Sequence, residues 1–594
     1  MNNKNIVRLS VSSLSLLLLS SCAQLSKPAL CDVEITPIPQ IQGSGDVSPL
    51  LNQTLTTRGV VTANWHNKNE LGGYFIQSAE VDDDHNAATS NGLFIAEQNA
   101  TVKVGDAVYI TGVVHEHNGV TQLQNISASA VCASEQTTEA TPFTLPVAST
   151  EAFEAVEGML LSLTQSLTVN GHYQLQRHGQ FDVAPMRLYT PTQHHKPGAD
   201  ARAQAQANNL ARLIIDDNLA PNPPQINLPQ PSLTAENTLR SGDVIAPVTG
   251  VLNEFKGSYR LQPTTAVTVI ETNKRPTAPA APATNTVRVA AFNVLNYFNG
   301  NGAEKSFPTE RGAKSAADFQ RQHDKIIAAL SLLNADIIGL MEIENDGYDQ
   351  YSAIAELTAA LAKQTGHPWR FIRAGVNSFG DDSITNGLIY RSDKVQPQGQ
   401  PLTITEAPFG TRSRLPLIQR FAPSNTVENL VIAVNHFKSK GSCPKDAQNP
   451  NANQQDGQGC WNAARTESAK HLATFIDSHP DLKNHGLRVL MGDFNAYGQE
   501  DPIQTLLAHG YYNRIDAFDP QAYSYVYDAQ AGSLDHLLVS SLLTGRVVNQ
   551  ATWSINADEP TLLQYDRAAQ NSQWYAPSAY RSSDHDPVYA DIQF

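Results

Sequence analysis

The chain has 594 residues, with 41 lysines and arginines against 57 aspartates and glutamates, a net charge of −16. That length holds about three or four domains, and the acidic balance excludes a protein that grips nucleic acid by bulk charge. Any polyanion contact needs a local basic site or a bridging cation. The abundance of Gly, Pro, Thr, Asn and Gln fits an exported chain rich in strands and turns.

Residues 1–22 read as a lipoprotein signal peptide. Lys4 and Arg8 supply the positive end, and Val11 to Leu19 form an apolar run too short to remain as a membrane span. Leu19-Ser20-Ser21-Cys22 resembles a bacterial lipobox, which makes Cys22 the lipid-bearing first residue of the mature chain. An ordinary signal peptide cleaved nearby is the alternative. Ala23 gives no inner-membrane retention signal, so an exported protein is expected, either an outer-membrane lipoprotein or extracellular. The remaining cysteines, Cys31, Cys132, Cys443 and Cys460, allow three pairings. Their grouping favours Cys31–Cys132 and Cys443–Cys460 in an oxidising compartment. A zinc site is the alternative, without a CxxC pair or clustered histidines to support it.

Residues 31–135 read as short strands: Thr54–Thr62, Gly73–Gln77, Gly92–Ala96 and Val108–Val114, with a hairpin signal at Asn118-Gly119. This pattern predicts a small closed barrel of the oligonucleotide/oligosaccharide-binding (OB) kind. Asp82-Asp83-Asp84-His85 reads as a solvated acidic loop before a calcium site, and His115-Glu116-His117 as a strand end beside the hairpin. Trp65, Tyr74 and Phe75 read as core, with base stacking as the lesser alternative. Residues 140–272 form a second β-rich, OB-like region, expected to carry a polar loop from Ala199 to Pro231. Ser258-Tyr-Arg-Leu-Gln262 echoes Thr121-Gln-Leu-Gln124, which suggests a diverged repeat. Residues 273–285 are a Pro/Ala linker.

From 286 to 594 strands and helices alternate, as in one α/β domain. Val287–Phe292, Ile337–Leu340, Gly387–Tyr390, Leu430–Val434, Val489–Asp493 and Pro587–Ile592 read as strands. Phe319–Leu333, Tyr351–Thr365 and Ala463–Ser478 read as helices. Polar residues cluster at the strand edges: Asn293, Glu342, His436, Asp493 with Asn495, Asp535 with His536, and Asp584-His585-Asp586. Along an extended strand, Asp493 and Asn495 share a face. Each residue alone is an ordinary loop group or cap. Together they are the residue types that hold a hard divalent cation and move protons.

In order, Phe-Asn-Val (Asn293), Met-Glu-Ile (Glu342), Asn-His-Phe (His436), Gly-Asp-Phe-Asn (Asp493, Asn495), Leu-Asp-His (Asp535) and Ser-Asp-His-Asp-Pro (Asp584, His585) resemble the endonuclease/exonuclease/phosphatase superfamily. Lys438-Ser-Lys-Gly441, the insert ending Asp456-Gly-Gln-Gly-Cys-Trp-Asn462, and Ile41–Leu50 with Arg58–Val61 make the chain similar to ExeM/NucH-type extracellular nucleases with an N-terminal OB-like domain. The resemblance implies N-terminal all-β OB-like barrels followed by a deoxyribonuclease-like α/β four-layer sandwich. It implies a metal-dependent nuclease that hydrolyses the phosphodiester bonds of extracellular DNA, with RNA a second substrate. Mg²⁺ is the implied cofactor, with Mn²⁺ or Ca²⁺ as alternatives. Glu342 becomes the principal metal ligand, with Asn293 and Asp584 nearby. Asp493 and Asn495 contact the attacking water and the phosphate. His585, oriented by Asp535, sits on the scissile phosphate, and His436 protonates the leaving oxygen. Lys438 and Lys440 are expected to meet substrate phosphates, with a solvated loop as the alternative. Leu295 departs from the abasic-site branch, where an acidic metal ligand stands. Glu344, Asp346, His536 and Asp586 are read as structural neighbours. A phospholipid or small-phosphoester hydrolase and a non-catalytic surface binding protein are the competing functions.

Overall fold

A computed structural model describes residues 29–594, except 220–227, 230–232, 301, 375–377 and 425. The leader and Cys22 lie outside the described residues. Strands β1 (Thr54–Trp65), β2 (Gly73–Gln77), β3 (Gly92–Ile95), β4 (Ala107–His117) and β5 (Val120–Ala133) close into a barrel in the order β1-β2-β3-β5-β4. Asn118 and Gly119 join β4 to β5 with φ of 57° and 100°, the backbone a tight hairpin requires. Tyr74 and Phe75 are fully buried, which rules them out as base-stacking platforms. Trp65 packs edge-on to Phe75 at 6.1 Å. The acidic loop is internally satisfied: Arg58 holds Asp82 at 2.7 Å, and Thr89 donates to Asp84. Both expected disulfides form, Cys31–Cys132 and Cys443–Cys460.

The second region is a nine-stranded sheet of β6 (Thr141–Pro142), β7 (Leu160–Leu163), β8 (Leu167–Gly171), β9 (Gln180–Ala184), β10 (Leu213–Asp216), β11 (Val244–Ile245), β12 (Val248–Glu254), β13 (Tyr259–Pro263) and β14 (Val269–Ile270). Its central run, β8-β9-β10-β13-β12-β7, repeats the barrel's pairings: antiparallel twice, then parallel, then antiparallel twice. β7 and β8 together stand where β1 stands in the first barrel, with residues 164–166 interrupting the strand between them. The similar peptides 121–124 and 259–262 fall on the corresponding strands β5 and β13. Residues 199–211 form a helix, which corrects the expected loop. Alanine favours helix, but this one buries only Ala201, Asn208 and Ala211, so no apolar stripe marks it in the sequence.

Where the two β regions meet, Glu154, Glu157 and Glu254 bring carboxylate oxygens within 4.8 Å of one another. Burial raises all three, helped by neighbouring carboxylates (Glu254 for Glu154, Glu154 for Glu157, Asp46 and Glu116 for Glu254), and Glu154 is pushed up to about 7. Groups raised above their unfolded values stabilise the fold fully at low pH, and that stability is lost as pH rises through the folded value. Thermal stability in chelator-containing buffer is therefore expected to fall between pH 5.5 and 8.5. Glu157→Gln should raise Tm at pH 8.5 by roughly 5 °C and flatten the dependence. A variant with the wild-type pH profile would contradict the cause given.

The linker is not a free tether. Trp553 Nε1 donates to the Thr277 carbonyl at 2.9 Å, Tyr580 to Pro276 at 2.9 Å, and Arg288 to Ala280 at 2.7 Å. Beyond it, one six-stranded sheet comprises β15 (Thr286–Tyr297), β16 (Ile337–Glu344), β17 (Trp369–Phe371), β18 (Ile384–Arg391), β27 (Val547–Thr552) and β28 (Val588–Gln593), in the order β17-β18-β16-β15-β28-β27. The other comprises β19 (Val395–Leu402), β20 (Leu417–Pro423), β21 (Leu430–His436), β22 (Leu487–Asp493), β23 (Tyr511–Asn513) and β26 (Asp535–Ser540), in the order β19-β20-β21-β22-β26-β23. A short hairpin, β24 (Tyr525–Tyr527) and β25 (Gln530–Gly532), stands apart from both.

The sheets pack face to face through Val289, Ala291, Met341, Val434, Met491 and Leu537. Gly339 permits the close approach: a Cβ there would lie 2.8 Å from Val434 and 2.9 Å from Met491. Helices 316–333 and 353–365 cover the first sheet through Phe319, Ile326, Leu330, Leu357 and Leu361. Helices 462–478 and 501–508 cover the second through Leu472, Ile476, Ile503 and Leu506. Helix 316–333 starts at Ser315, whose hydroxyl accepts the Asp318 amide at 3.1 Å. The result is the expected four-layer α/β sandwich.

Candidate active site

Parallel strands β15 and β16 of one sheet, and β21 and β22 of the other, end at a common edge. Asn293, Glu342, His436 and Asp493 stand on those ends. β26 runs antiparallel to β22 and starts at that edge, pairing Asp535 with Asp493. Asp584 and His585 arrive in the loop before β28. The sheets meet across Asn293 Nδ2, which donates to Asp493 Oδ2 at 3.3 Å. Glu342 leaves the regular strand, with φ of 65° and a register shift between Leu340 and Ile343. This bulge separates Glu342 from Glu344, whose carboxylate instead accepts the Asn299 amide at 2.8 Å. Asp346 accepts the Ala353 amide at 2.9 Å, at the start of the helix 353–365. The structural reading of both acids therefore holds.

The core of the site is an imidazole held by a carboxylate. His585 Nδ1 lies 2.7 Å from Asp535 Oδ2, and Ser524 Oγ donates to the same oxygen at 2.7 Å. Tyr525 stacks on the His585 ring with centroids 4.5 Å apart. Asp493, Asp535 and His585 offer ligand atoms within 4.8 Å of one another. Burial opposes charge on His585, but Asp535, Asp584 and Asp493 overcome it and hold its pKa well above the ordinary value. Burial pushes Asp493 up to about 7, against the pull of His585 and with Asp535 and Glu342 adding to the rise. His436 is shifted the other way, by burial and then by Arg414 and His585, and stays neutral. Its Nε2 lies 3.6 Å from Asp493 Oδ2 and 3.4 Å from Arg414 Nη1. Environments that drive neighbouring groups apart in this way assign acid and base.

Glu342 Oε2 accepts the Asn296 amide at 3.0 Å. Burial and the nearby Asp584 carboxylate raise its pKa. Among the described residues neither carboxylate pairs with a lysine or arginine. Two neighbouring hard oxygen donors, with the Asn293 amide beside Glu342, are the ligand types that suit a divalent cation.

The structure narrows the expectation for Asn495 and corrects the one for Lys440. Asn495 turns back through φ of 49°, and its Nδ2 donates to the Phe437 carbonyl at 3.1 Å, so only its side-chain oxygen remains to meet a water. Lys440 is not free for phosphate: its ammonium lies 2.8 and 2.6 Å from the two oxygens of fully buried Glu500. Lys440→Met is accordingly expected to destabilise the chain by about 3 kcal/mol while leaving substrate KM unchanged; a raised KM at unchanged stability would restore the phosphate role. Burial and then Arg414 and His585 lower the pKa of His436, which works against a proton-donor role. Lys438 is partly exposed, with its ammonium over the Trp461 ring at 5.2 Å. His536 is buried and bonded to the Ala496 carbonyl at 2.8 Å, and Asp586 accepts the Asn556 amide at 2.6 Å, as structural residues do.

Ser524, Tyr525 and Arg414 also build the site, and no strand-edge pattern marks them in the sequence. The site opens into a cleft of about 1320 Å³. Leu295, Tyr525 and Asp584 line it from the catalytic domain, and residues 171–174, Gln176 and Arg177 line it from the second β region.

Residues 290–585 match the model described as the Endonuclease/Exonuclease/phosphatase family. Residues 124–274 match a domain of unknown function (DUF8508). No curated protein matches the chain. Among solved structures, it is similar to a humanized D. rerio TDP2 with 14 mutations, at 14% identity over 52% of this chain and 100% of that one, with a TM-score of 0.34. The catalytic domain of human Nocturnin shares 14% identity over 52% and 94% of the two chains, with a TM-score of 0.32. A Bacteroides thetaiotaomicron mannosyl-6-phosphatase shares 16% over 52% and 100%, also at 0.32. Residues 290–585 of the chain are thus a domain of the endonuclease/exonuclease/phosphatase family, with a nuclease- or phosphatase-like hydrolase fold.

Proposed function

We propose that this protein is an exported, metal-dependent nuclease that hydrolyses phosphodiester bonds in extracellular DNA, with RNA as a second substrate. The observation that carries this reading is the Asp535–His585 pair, 2.7 Å apart, facing Asp493 where the two sheets meet. Glu342, Asp584 and Asn293 would hold Mg²⁺, with Mn²⁺ or Ca²⁺ as substitutes. A divalent cation bound there neutralises charge that develops on the phosphoryl oxygens. Asp493, poised near neutrality, takes a proton from the attacking water, and the Asn495 oxygen helps to orient that water. Asp535 occupies His585 Nδ1, so Nε2 is the nitrogen left to present a proton and positive charge to the scissile phosphate. Lys438 is the remaining candidate for a flanking phosphate.

The size of the cleft favours a polymer over a small phosphoester. It exceeds the roughly 300–1,000 Å³ of small-molecule sites. An OB-type role for the two β units is part of the same proposal, supported by their shared order of strand pairing. Export is supported by the residue 1–22 leader, lipid attachment by Cys22, and an oxidising compartment by the two disulfides. Loss of lipid labelling in Cys22→Ala would support the anchor; undiminished labelling would refute it.

The substrate test is a panel of plasmid DNA, phospholipid and p-nitrophenyl phosphate, each with Mg²⁺ and with EDTA. DNA cleavage abolished by EDTA is expected. Turnover of phospholipid alone would replace the nuclease with a lipid hydrolase, and turnover of nothing would leave a binding protein.

A further inference from the structure

Two tyrosines that line the cleft, one from each domain, are left out of every core. Tyr173, from the domain of unknown function, is 76% exposed, and Tyr527, on the β24–β25 hairpin, is 67% exposed. The segments that carry them are fixed. Beside Tyr173, His172 Nε2 is 2.8 Å from the Asp558 carbonyl oxygen, and Leu175 is fully buried. Gly171 packs so closely on the hairpin that a Cβ would meet Ala529 at 2.8 Å. From the same domain, Arg212 holds Asp528 and Asn208 donates to Gln530, each at 2.8 Å.

Tyr527 lies two residues beyond Tyr525 on one strand, so both project from the same face. Tyr525 stacks on His585, and Tyr527 lines the same cleft. Arg177, exposed, and Arg567, partly exposed, line the same cleft on a chain that is otherwise acidic. Rigidly mounted, solvent-facing aromatics with guanidinium groups nearby make a surface for unpaired bases and their phosphates.

We propose that the domain at 124–274 forms the second wall of the active-site cleft and that Tyr173 and Tyr527 stack on bases of an unpaired nucleic-acid strand, with Arg177 and Arg567 on its backbone. This rests on the nuclease reading above and adds the form of the substrate. Stacking needs free base faces, which a duplex keeps against its neighbouring pairs. The domain also supports the hairpin that carries Tyr525, and so buttresses the catalytic imidazole.

The test is fluorescence anisotropy of a labelled single-stranded oligonucleotide, and of its duplex, with the full-length protein in EDTA. The wild-type chain is expected to prefer the single strand. Tyr173→Ala and Tyr527→Ala are each expected to weaken single-strand binding roughly 5- to 150-fold, with Trp in their place restoring it. Turnover of bis(p-nitrophenyl) phosphate with Mg²⁺ should stay within about twofold of wild type, which separates lost stacking from a damaged centre. Unchanged affinity in both variants, or tighter binding of duplex, would overturn the proposal. Failure of the nuclease reading shows separately, as wild-type protein that binds the strand but cleaves no phosphodiester with Mg²⁺.

Discussion

His585→Ala is expected to lower phosphodiester hydrolysis by about 10²–10⁴-fold without unfolding the chain. The ring is buried at the end of a loop, and its removal leaves the two sheet interfaces untouched. What disappears is the proton and positive charge that Asp535, Asp584 and Asp493 together maintain on it. Asp535→Asn should fall in the same range by a different route. An amide at that position no longer stabilises the imidazolium, and it can present an N–H to Nδ1 and so enforce the wrong tautomer. Residues that act as one unit lose activity once, so the double variant should be little slower than either single. Steady-state kinetics on one DNA substrate, with circular dichroism as the folding control, checks all three. Losses that multiply in the double variant would mean that the two residues act separately.

The second large effect concerns the seam between domains. Glu559 is fully buried and holds two arginines. Arg240 reaches it from the second β region, and Arg275 from the linker lies 2.8 Å from each of its oxygens. Next to it, buried Asp558 accepts Arg187 at 2.7 Å, Tyr523 at 2.8 Å and Asn273 at 2.7 Å. Desolvation raises the pKa of both acids, but the arginines win and hold them below the ordinary carboxylate value. Glu559→Ala leaves Arg240, itself 1% exposed, without its main partner. Breaking a buried pair from one side costs about 3–5 kcal/mol. A fall in Tm of roughly 10 °C is expected, with faster proteolysis at the 273–285 linker. A Tm within about 2 °C of wild type would show that this charge cluster does not hold the domains together.

The sequence makes the chemistry more legible than the assembly. Asn293, Glu342, Asp493, Asp535 and His585 stand out because acids, amides and imidazoles at the ends of apolar strands break the pattern that packing alone would give. Glu342 could be separated from Glu344 only by resemblance, since the bulge that aims it is a backbone event with φ of 65° that no residue type there demands. Asn495 was legible as a site residue, but not the turn that ties its amide nitrogen to Phe437. Lys440 looked like a phosphate ligand because its partner, Glu500, is 60 residues away. The Arg240–Glu559 contact spans 319 residues. Pairings at such distances leave no local periodicity. The helix 199–211 is hard to read for the opposite reason: its signal is alanine propensity without an amphipathic stripe.

The most direct measurement is a Mg²⁺ titration of DNA cleavage by EDTA-treated protein, comparing wild type with Glu342→Gln. The wild-type rate should rise from near zero to a plateau, while Glu342→Gln, folded and with its neighbouring groups intact, should recover little at the same concentrations. Undiminished cleavage by the chelated wild-type protein, or a variant that titrates like wild type, would mean that no divalent ion works between Glu342, Asp584 and Asn293.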